Sequence, residues 1–120
     1  MNTFSALSQS DYRTEDGVDI TPALFGEDLS PRKLFMHFPH YTHQGGLPGG
    51  TVHHENYKLI HWYESDSLEL YDVVNDPGET QNIVDQNKEV AESLLADLQE
   101  WKQSIDAREV ADNPEYQLEE

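Results

Sequence analysis

Six histidines are the residues of this chain whose side chains could bind a metal ion or a polar ligand. They are His37, His40, His43, His53, His54 and His61. A zinc site needs three or four ligands that converge at about 2 Å from the ion. The first three histidines are spaced by three residues, and on a strand that spacing places successive side chains on opposite faces. A shared site would require a bend at Pro39, so we expect partly exposed histidines and no metal site.

His37 and His40 have the stronger case for a binding role. They flank Pro39, where an apolar strand pattern ends and a glycine-rich loop begins. Loops on a rigid scaffold often carry binding residues, and an imidazole donates a hydrogen bond in either charge state. We therefore predict His37 and His40 as candidate binding residues. The alternative is that one of the two histidines only pairs with a buried carbonyl group.

The composition excludes several kinds of site chemistry and disfavours several kinds of partner. The chain of 120 residues has no cysteine, which excludes disulfides, thiolate metal sites and cysteine nucleophiles. No activated nucleophile or carboxylate pair stands out either, so no catalytic residue is predicted. The formal charge is −17, from 24 acidic and 7 basic side chains. Because such a chain repels phosphate backbones and anionic lipids, we expect neither nucleic acid nor a membrane as partner.

The sequence leaves the localisation open. No apolar run approaches the roughly 20 residues that span a bilayer. The first residues lack the basic and apolar regions of a secretory signal peptide. We therefore expect no signal peptide in this chain.

The periodicity predicts the elements that position these residues. Alternating or β-branched and aromatic segments indicate strands at residues 32–38, 51–54, 57–64 and 68–74. Thr21-Pro22 indicates a short helical turn. From about Asn87 to Ala107 apolar residues recur every three or four positions, which is typical of an amphipathic helix. Asp85 and Asn87 are both candidates to cap its start.

The predicted fold class is α+β, with a small antiparallel sheet of three to four strands covered by one long C-terminal helix. Residues 1–15 are polar and aperiodic and are interpreted as a flexible lead-in. Residues 16–110 would form the folded subdomain, and residues 111–120 a polar tail. On the helix, Trp101 lies on the apolar stripe and is expected in the core.

Several segments in order resemble the C-terminal part of type I sulfatases. They are Asp16-Gly17-Val18-Asp19-Ile20-Thr21-Pro22, Leu34-Phe35-Met36-His37-Phe38-Pro39-His40-Tyr41, Gly49-Gly50-Thr51-Val52, Tyr57-Lys58-Leu59-Ile60, Leu68-Glu69-Leu70-Tyr71-Asp72, Asp76-Pro77-Gly78-Glu79-Thr80-Gln81-Asn82 and Asn113-Pro114-Glu115-Tyr116. The resemblance runs from about residue 16 to 117.

The resemblance implies that catalysis and the shaping of the substrate pocket are assigned to two different domains. In sulfatases a large N-terminal α/β domain holds the catalytic formylglycine, made from a C/S-x-P-x-R motif, and a calcium ion. The small C-terminal subdomain completes the fold and can shape the substrate pocket. This chain is similar only to the second part. The implied partner is therefore an N-terminal catalytic domain, in cis or in trans, and the chain alone is predicted to be inactive.

No catalytic residue or cofactor ligand transfers from the family. Ser30-Pro31-Arg32 has the wrong spacing for the formylglycine motif, and the Asp112-Asn113 pair lies in the closing segment. The chain also has His53 where the family often has an arginine, and Glu55 where it often has a glycine. By resemblance, His37 and His40 lie near the substrate cleft and are candidates to bind a sulfated sugar or aryl group.

A second interpretation belongs to another class of protein. The chain would be a free-standing module that binds a ligand or a metal through its histidine- and glycine-rich loop, residues 40–50. Stoichiometric zinc or nickel in the purified protein would favour that interpretation.

Overall fold

The structure is a computed structural model that describes residues 2–14 and 17–111. The chain forms two compact units, residues 1–31 and 32–120. The predicted tail at 111–120 and the Asp112-Asn113 pair lie outside the described residues, apart from Ala111. No helix in the described ranges is long and apolar enough to cross a membrane.

The first unit contains two short helices, α1 (Asn2–Leu7) and α2 (Thr21–Leu24). Helix α1 was not expected, because its residues carry no helical periodicity. The amide of Asn2 donates to the carbonyl oxygens of Thr14 and Gly17, at 3.1 and 3.0 Å. Helix α2 lies where Thr21-Pro22 predicted it. Its start is fixed by Asp19, whose carboxylate accepts hydrogen bonds from the Thr21 hydroxyl and backbone N–H, and these bonds lower the pKa of Asp19.

The second unit begins with a four-stranded antiparallel sheet in the order β1-β2-β3-β4. The strands are β1 (Leu34–Phe38), β2 (Gly49–His54), β3 (Tyr57–Trp62) and β4 (Ser67–Asp72). Phe35, Val52, Leu59 and Leu70 are cross-strand neighbours. Because side chains alternate along a strand, these four residues lie on one face of the sheet.

Helix α3 (Lys88–Ser104) covers that face. The buried core consists of three sheet residues and three helix residues: Val52, Leu59, Leu70, Ala91, Leu94 and Leu98. Trp101, expected in the core, is half-buried and stacks on Phe35, with ring centroids 5.0 Å apart and planes 9° apart. The predicted α+β fold, a small antiparallel sheet covered by a C-terminal helix, is confirmed.

The hairpin between β2 and β3 shows how the chain accommodates Glu55 at a position where the related family often has glycine. Glu55 has a φ of 52°, in the left-handed region. Glycine reaches that region without steric cost, whereas other residues have a Cβ that crowds the backbone. The turn is therefore kept, and Glu55 adopts the conformation that a glycine would favour.

The turn after β4 is held by its own side chains. The carboxylate of Asp76 accepts hydrogen bonds from the backbone N–H groups of Gln81 and Thr80, at 2.8 and 2.7 Å. These bonds, with Gln81 the largest contributor, lower the pKa of Asp76. Asn82 then joins the turn to the sheet, because its side-chain oxygen accepts a hydrogen bond from the Leu70 N–H at 3.0 Å. The Asp76–Asn82 segment is thus a structural connection to β4.

Candidate functional site

His37 lies on β1 in register with Gly50 of β2, and both of its ring nitrogens have partners within the chain. Its Nε2 is 2.7 Å from the Arg108 carbonyl oxygen, and its Nδ1 is 2.6 Å from the Tyr63 hydroxyl. A carbonyl oxygen can only accept a hydrogen bond, so Nε2 carries the proton and donates it. In the neutral ring Nδ1 then accepts a hydrogen bond from the Tyr63 hydroxyl.

Tyr63 is the centre of this polar cluster. The Lys102 ammonium lies 4.5 Å from the centroid of its ring, a cation–π contact, and the His61 ring meets it edge-on with centroids 5.3 Å apart. Gly50 makes room for the ring, because a Cβ at that position would overlap the Tyr63 hydroxyl. Burial, together with the nearby Glu109 carboxylate, raises the pKa of Tyr63 to about 12. Tyr63 therefore keeps its proton near neutral pH and serves as a hydrogen-bond donor.

The same cluster fixes the segment that follows α3. Lys102 pairs with Glu109 at 2.8 Å, and the Ala107 N–H donates to the Lys102 carbonyl oxygen at 2.9 Å. With the bond from His37 to Arg108, three contacts tie residues 107–109 to the end of the sheet and helix. The cluster is suited to holding residues 107–109 in place, because its hydrogen-bond donors and acceptors pair with each other.

His40 has different surroundings from His37. It is exposed in the loop after β1, and its ring meets the Phe38 ring edge-on with centroids 5.7 Å apart. Phe38 alternates with His37 along β1 and so lies on the opposite face of the sheet. The structure thus holds one predicted binding residue within the fold and leaves the other accessible to a ligand. Neither residue's binding role is tested by these contacts, and both stay predictions.

The remaining histidines are dispersed. His61 is 2.8 Å from the Asp66 carboxylate, and His53 has a buried Nε2 without a hydrogen-bond partner among the described residues. Within residues 2–14 and 17–111, no three His, Asp or Glu side chains are placed to hold a metal ion. The metal-binding alternative therefore gains no ligand cluster from the part of the chain that the structure describes.

An open groove of about 380 Å³ lies along the first turns of α3, between that helix and β2. Its lining includes His54, Glu89, Leu94, Lys33 and Asp97. Lys33 and Asp97 form an ion pair at 2.6 Å across it. The cation that the groove offers is therefore already neutralised, and no sequence motif pointed to this place.

Lys58 is a second cation of this unit that already has an anionic partner. Its ammonium contacts both carboxylate oxygens of Glu79, at 2.8 and 2.7 Å. The register of β3 places the Lys58 side chain on the strand face away from α3.

The chain matches one protein family over most of its length. The family model described as N-sulphoglucosamine sulphohydrolase, C-terminal, matches residues 13–104. A curated sulfatase from Formosa agariphila is 40% identical in an alignment of 80 residues that covers 60% of this chain and 14% of that protein. The chain therefore spans about one-seventh of the length of this relative.

Solved structures share the fold. A 2-O GAG sulfatase matches with a TM-score of 0.72 and 24% identity, over 93% of this chain and 26% of that one. A protein solved in complex with its substrate D-glucosamine-2-N,6-O-disulfate matches with a TM-score of 0.67 and 23% identity, over 88% and 23%. A putative sulfatase from Bacteroides thetaiotaomicron has a TM-score of 0.67 and 24% identity, over 93% and 26%. At these identities the likeness establishes the fold.

Proposed function

Because the chain belongs to the family of C-terminal sulfatase domains, we propose that it docks beside a sulfatase catalytic domain, shapes the substrate pocket and is inactive alone. The observation that carries the proposal is the family match over residues 13–104, in a chain that spans 14% of its curated sulfatase relative. Most of such an enzyme lies outside the region that this chain matches.

The chemistry of the described residues supports the inactivity of the chain alone. The formylglycine of sulfatases needs a C/S-x-P-x-R motif, and the sequence contains none. The polar cluster around Tyr63 offers no substitute, because a phenol with a pKa of about 12 is a poor nucleophile at neutral pH. In this proposal formylglycine and calcium both come from the catalytic domain.

The substrate class proposed for the assembled enzyme is a sulfated sugar. The support is that one solved protein with this fold is a 2-O GAG sulfatase and another was solved with its substrate D-glucosamine-2-N,6-O-disulfate. A chain of charge −17 does not attract an anion over long distances. The cationic groups that hold the sulfate would accordingly belong to the catalytic domain, and this chain would contribute neutral hydrogen-bond donors.

His40 is the residue of this chain best placed to be such a donor. It is exposed beside Phe38, whereas His37 already donates to the Arg108 carbonyl oxygen. A substrate contact by His37 would require release of that carbonyl. We expect His40 to contact the substrate directly and His37 to fix the strand from which the loop departs.

Substitution of His40 tests the pocket-shaping part of the proposal. In the assembled enzyme, His40→Ala should raise KM for a sulfated glucosamine by about tenfold with little change in kcat, because a hydrogen bond to a charged ligand is lost. His43→Ala is the matched control, since His43 is an exposed histidine of the same loop. Equal KM values for the two variants would refute a substrate contact by His40.

A sulfatase assay on the isolated chain tests its predicted inactivity. A chromogenic aryl sulfate and D-glucosamine-2-N,6-O-disulfate would be supplied with calcium, and phenol and sulfate release measured. We expect no turnover above the buffer background. Turnover by the chain alone would contradict the proposal and would require a nucleophile within these residues.

A further inference from the structure

The outer side of β1 is apolar and uncovered. Leu34, Met36 and Phe38 alternate with the residues that face α3, and they are 46%, 64% and 44% exposed. Three large apolar side chains in a row on one exposed strand face form a continuous patch. On a soluble surface such a patch marks a contact with a partner. Leu34, Met36 and Phe38 together are the β1 patch.

The free edge of β1 points to the same conclusion. Strand β1 is the outermost strand on its side of the sheet, and among the described residues no backbone hydrogen bond outside the sheet reaches it. The other outermost strand is covered: the Leu70 carbonyl oxygen of β4 accepts a hydrogen bond from Ile83 at 2.9 Å. Strand β4 also contains Glu69 and Asp72, whereas residues 34–38 contain no acidic residue, lysine, arginine or proline. Edge strands without such protection associate with other chains unless they are covered.

The net charge of the chain, and the small share of its relatives that it covers, indicate which partner would contact the β1 patch. A second copy of this chain would bring another −17 to the interface, and the repulsion opposes self-association. The sulfatases that the chain matches have a much larger remaining part, since the match covers 14% of the curated relative and 26% of the 2-O GAG sulfatase. The face of the sheet opposite the β1 patch is already occupied by α3.

We infer that the β1 patch is the surface through which this chain docks onto the sulfatase catalytic domain, an inference that rests on the proposed function. Phe38 belongs to the patch and its ring contacts His40 at a centroid distance of 5.7 Å. Docking through the patch therefore places His40 at the border of the interface, where the loop after β1 meets the catalytic domain.

A charge substitution in the patch tests the inference. The partner used is the Formosa agariphila sulfatase without the segment that aligns with this chain, and its binding to the isolated chain is measured by titration calorimetry. Met36→Glu should weaken binding by about tenfold or more, because docking would bury an unpaired carboxylate. Val74→Glu is the matched control: Val74 is also 64% exposed but lies after β4, and its variant should bind within about twofold of the wild type.

The outcomes distinguish a failure of the β1 patch from a failure of the docking function. Wild-type binding that Met36→Glu leaves unchanged would overturn the β1 patch as the interface and leave the docking function standing. No binding by the wild-type chain to a folded partner would overturn both. A dimer of this chain that Met36→Glu dissociates, without binding to the partner, would assign the patch to a second copy and overturn the inference.

A chimera covers the case in which the shortened partner does not fold. In the complete Formosa agariphila enzyme the aligned segment is replaced by this chain, with Met36→Glu or Val74→Glu. The inference predicts that Met36→Glu lowers the midpoint of thermal unfolding of the chimera while Val74→Glu does not, and that the isolated chain shows no such difference. Equal midpoints for the two chimeras would overturn it.

Discussion

Tyr63 shows how one side chain organises the polar end of this fold. Its hydroxyl pairs with His37 Nδ1, and its ring lies under the Lys102 ammonium. The hydrogen bond to His37 Nδ1 gives the phenol a partner where its ring and hydroxyl are partly removed from water. Ionisation is disfavoured by burial and by the Glu109 carboxylate, which raise the pKa of Tyr63 to about 12.

The raised pKa predicts a loss of stability in alkali. The ordinary pKa of tyrosine is 10.0 and that of folded Tyr63 is about 12, so the folded chain holds this proton more tightly. The resulting stability is complete below about pH 10 and is lost as the pH rises toward about 12. In Tyr63→Phe the stability should decline less steeply over this range, as measured by urea unfolding at several pH values. An equally steep decline in the variant would contradict the assigned environment of Tyr63.

The sequence identified the histidines of this region but not their surroundings. Spacing around Pro39 pointed to His37 and His40, and one alternative considered from the sequence was that a histidine pairs with a buried carbonyl. The carbonyl oxygen that His37 contacts is that of Arg108, an exposed residue that is far away in the chain. Tyr63 and Lys102 were not anticipated, because their contact arises only when α3 packs on the sheet. A one-dimensional pattern carries no signal for such a contact.

The periodicity of the sequence predicts which helices and strands form, whereas their exact ends depend on local packing and side-chain hydrogen bonds. Strand β2 begins at Gly49, two residues before the predicted start, because Gly49-Gly50 read as loop residues. In the sheet Gly50 pairs with His37 and His61, and its missing side chain leaves space for Tyr63. Glycine is unfavourable in a strand unless close packing requires it, and that requirement was not visible in the sequence.

The end of β4 and the ends of α3 can also be compared with the boundaries that the sequence predicted. Strand β4 was expected to continue to residue 74 but ends at Asp72, whose carboxylate accepts hydrogen bonds from the Val74 and Asn75 N–H groups and turns the chain. Helix α3 follows Asn87, one of two predicted caps, yet no side-chain capping bond forms there. The helix ends at Ser104, and Asp106 then adopts a φ of 49°.

The packing of α3 on the sheet predicts which helix substitutions matter. Leu98 is fully buried against the sheet core, so Leu98→Ala should lower the free energy of unfolding by about 2–5 kcal/mol. Gln99→Ala changes the next, exposed position of the helix and should stay within about 0.5 kcal/mol of the wild type. Urea unfolding of both variants measures the difference. Similar stabilities for the two variants would contradict the burial of Leu98 between α3 and the sheet.

At the scale of the whole molecule, the family of the chain is indicated by the whole sequence of segments and not by any single residue. The order of motifs, rather than one catalytic signature, carried the resemblance to sulfatases, and the family match over residues 13–104 agrees with it. The proposed docking surface could not be predicted from the sequence. The alternation of residues 34–38 is compatible with burial of either face, and only the position of α3 leaves Leu34, Met36 and Phe38 outside.

The most direct test of the central claim is sulfate release by the two parts, separately and mixed. The chain, the Formosa agariphila sulfatase without its aligned segment, and their mixture would each receive D-glucosamine-2-N,6-O-disulfate and an aryl sulfate with calcium. We expect no turnover by the chain and more turnover by the mixture than by the catalytic part alone. Turnover by the chain alone, or a mixture no more active than a folded catalytic part, would contradict the central claim.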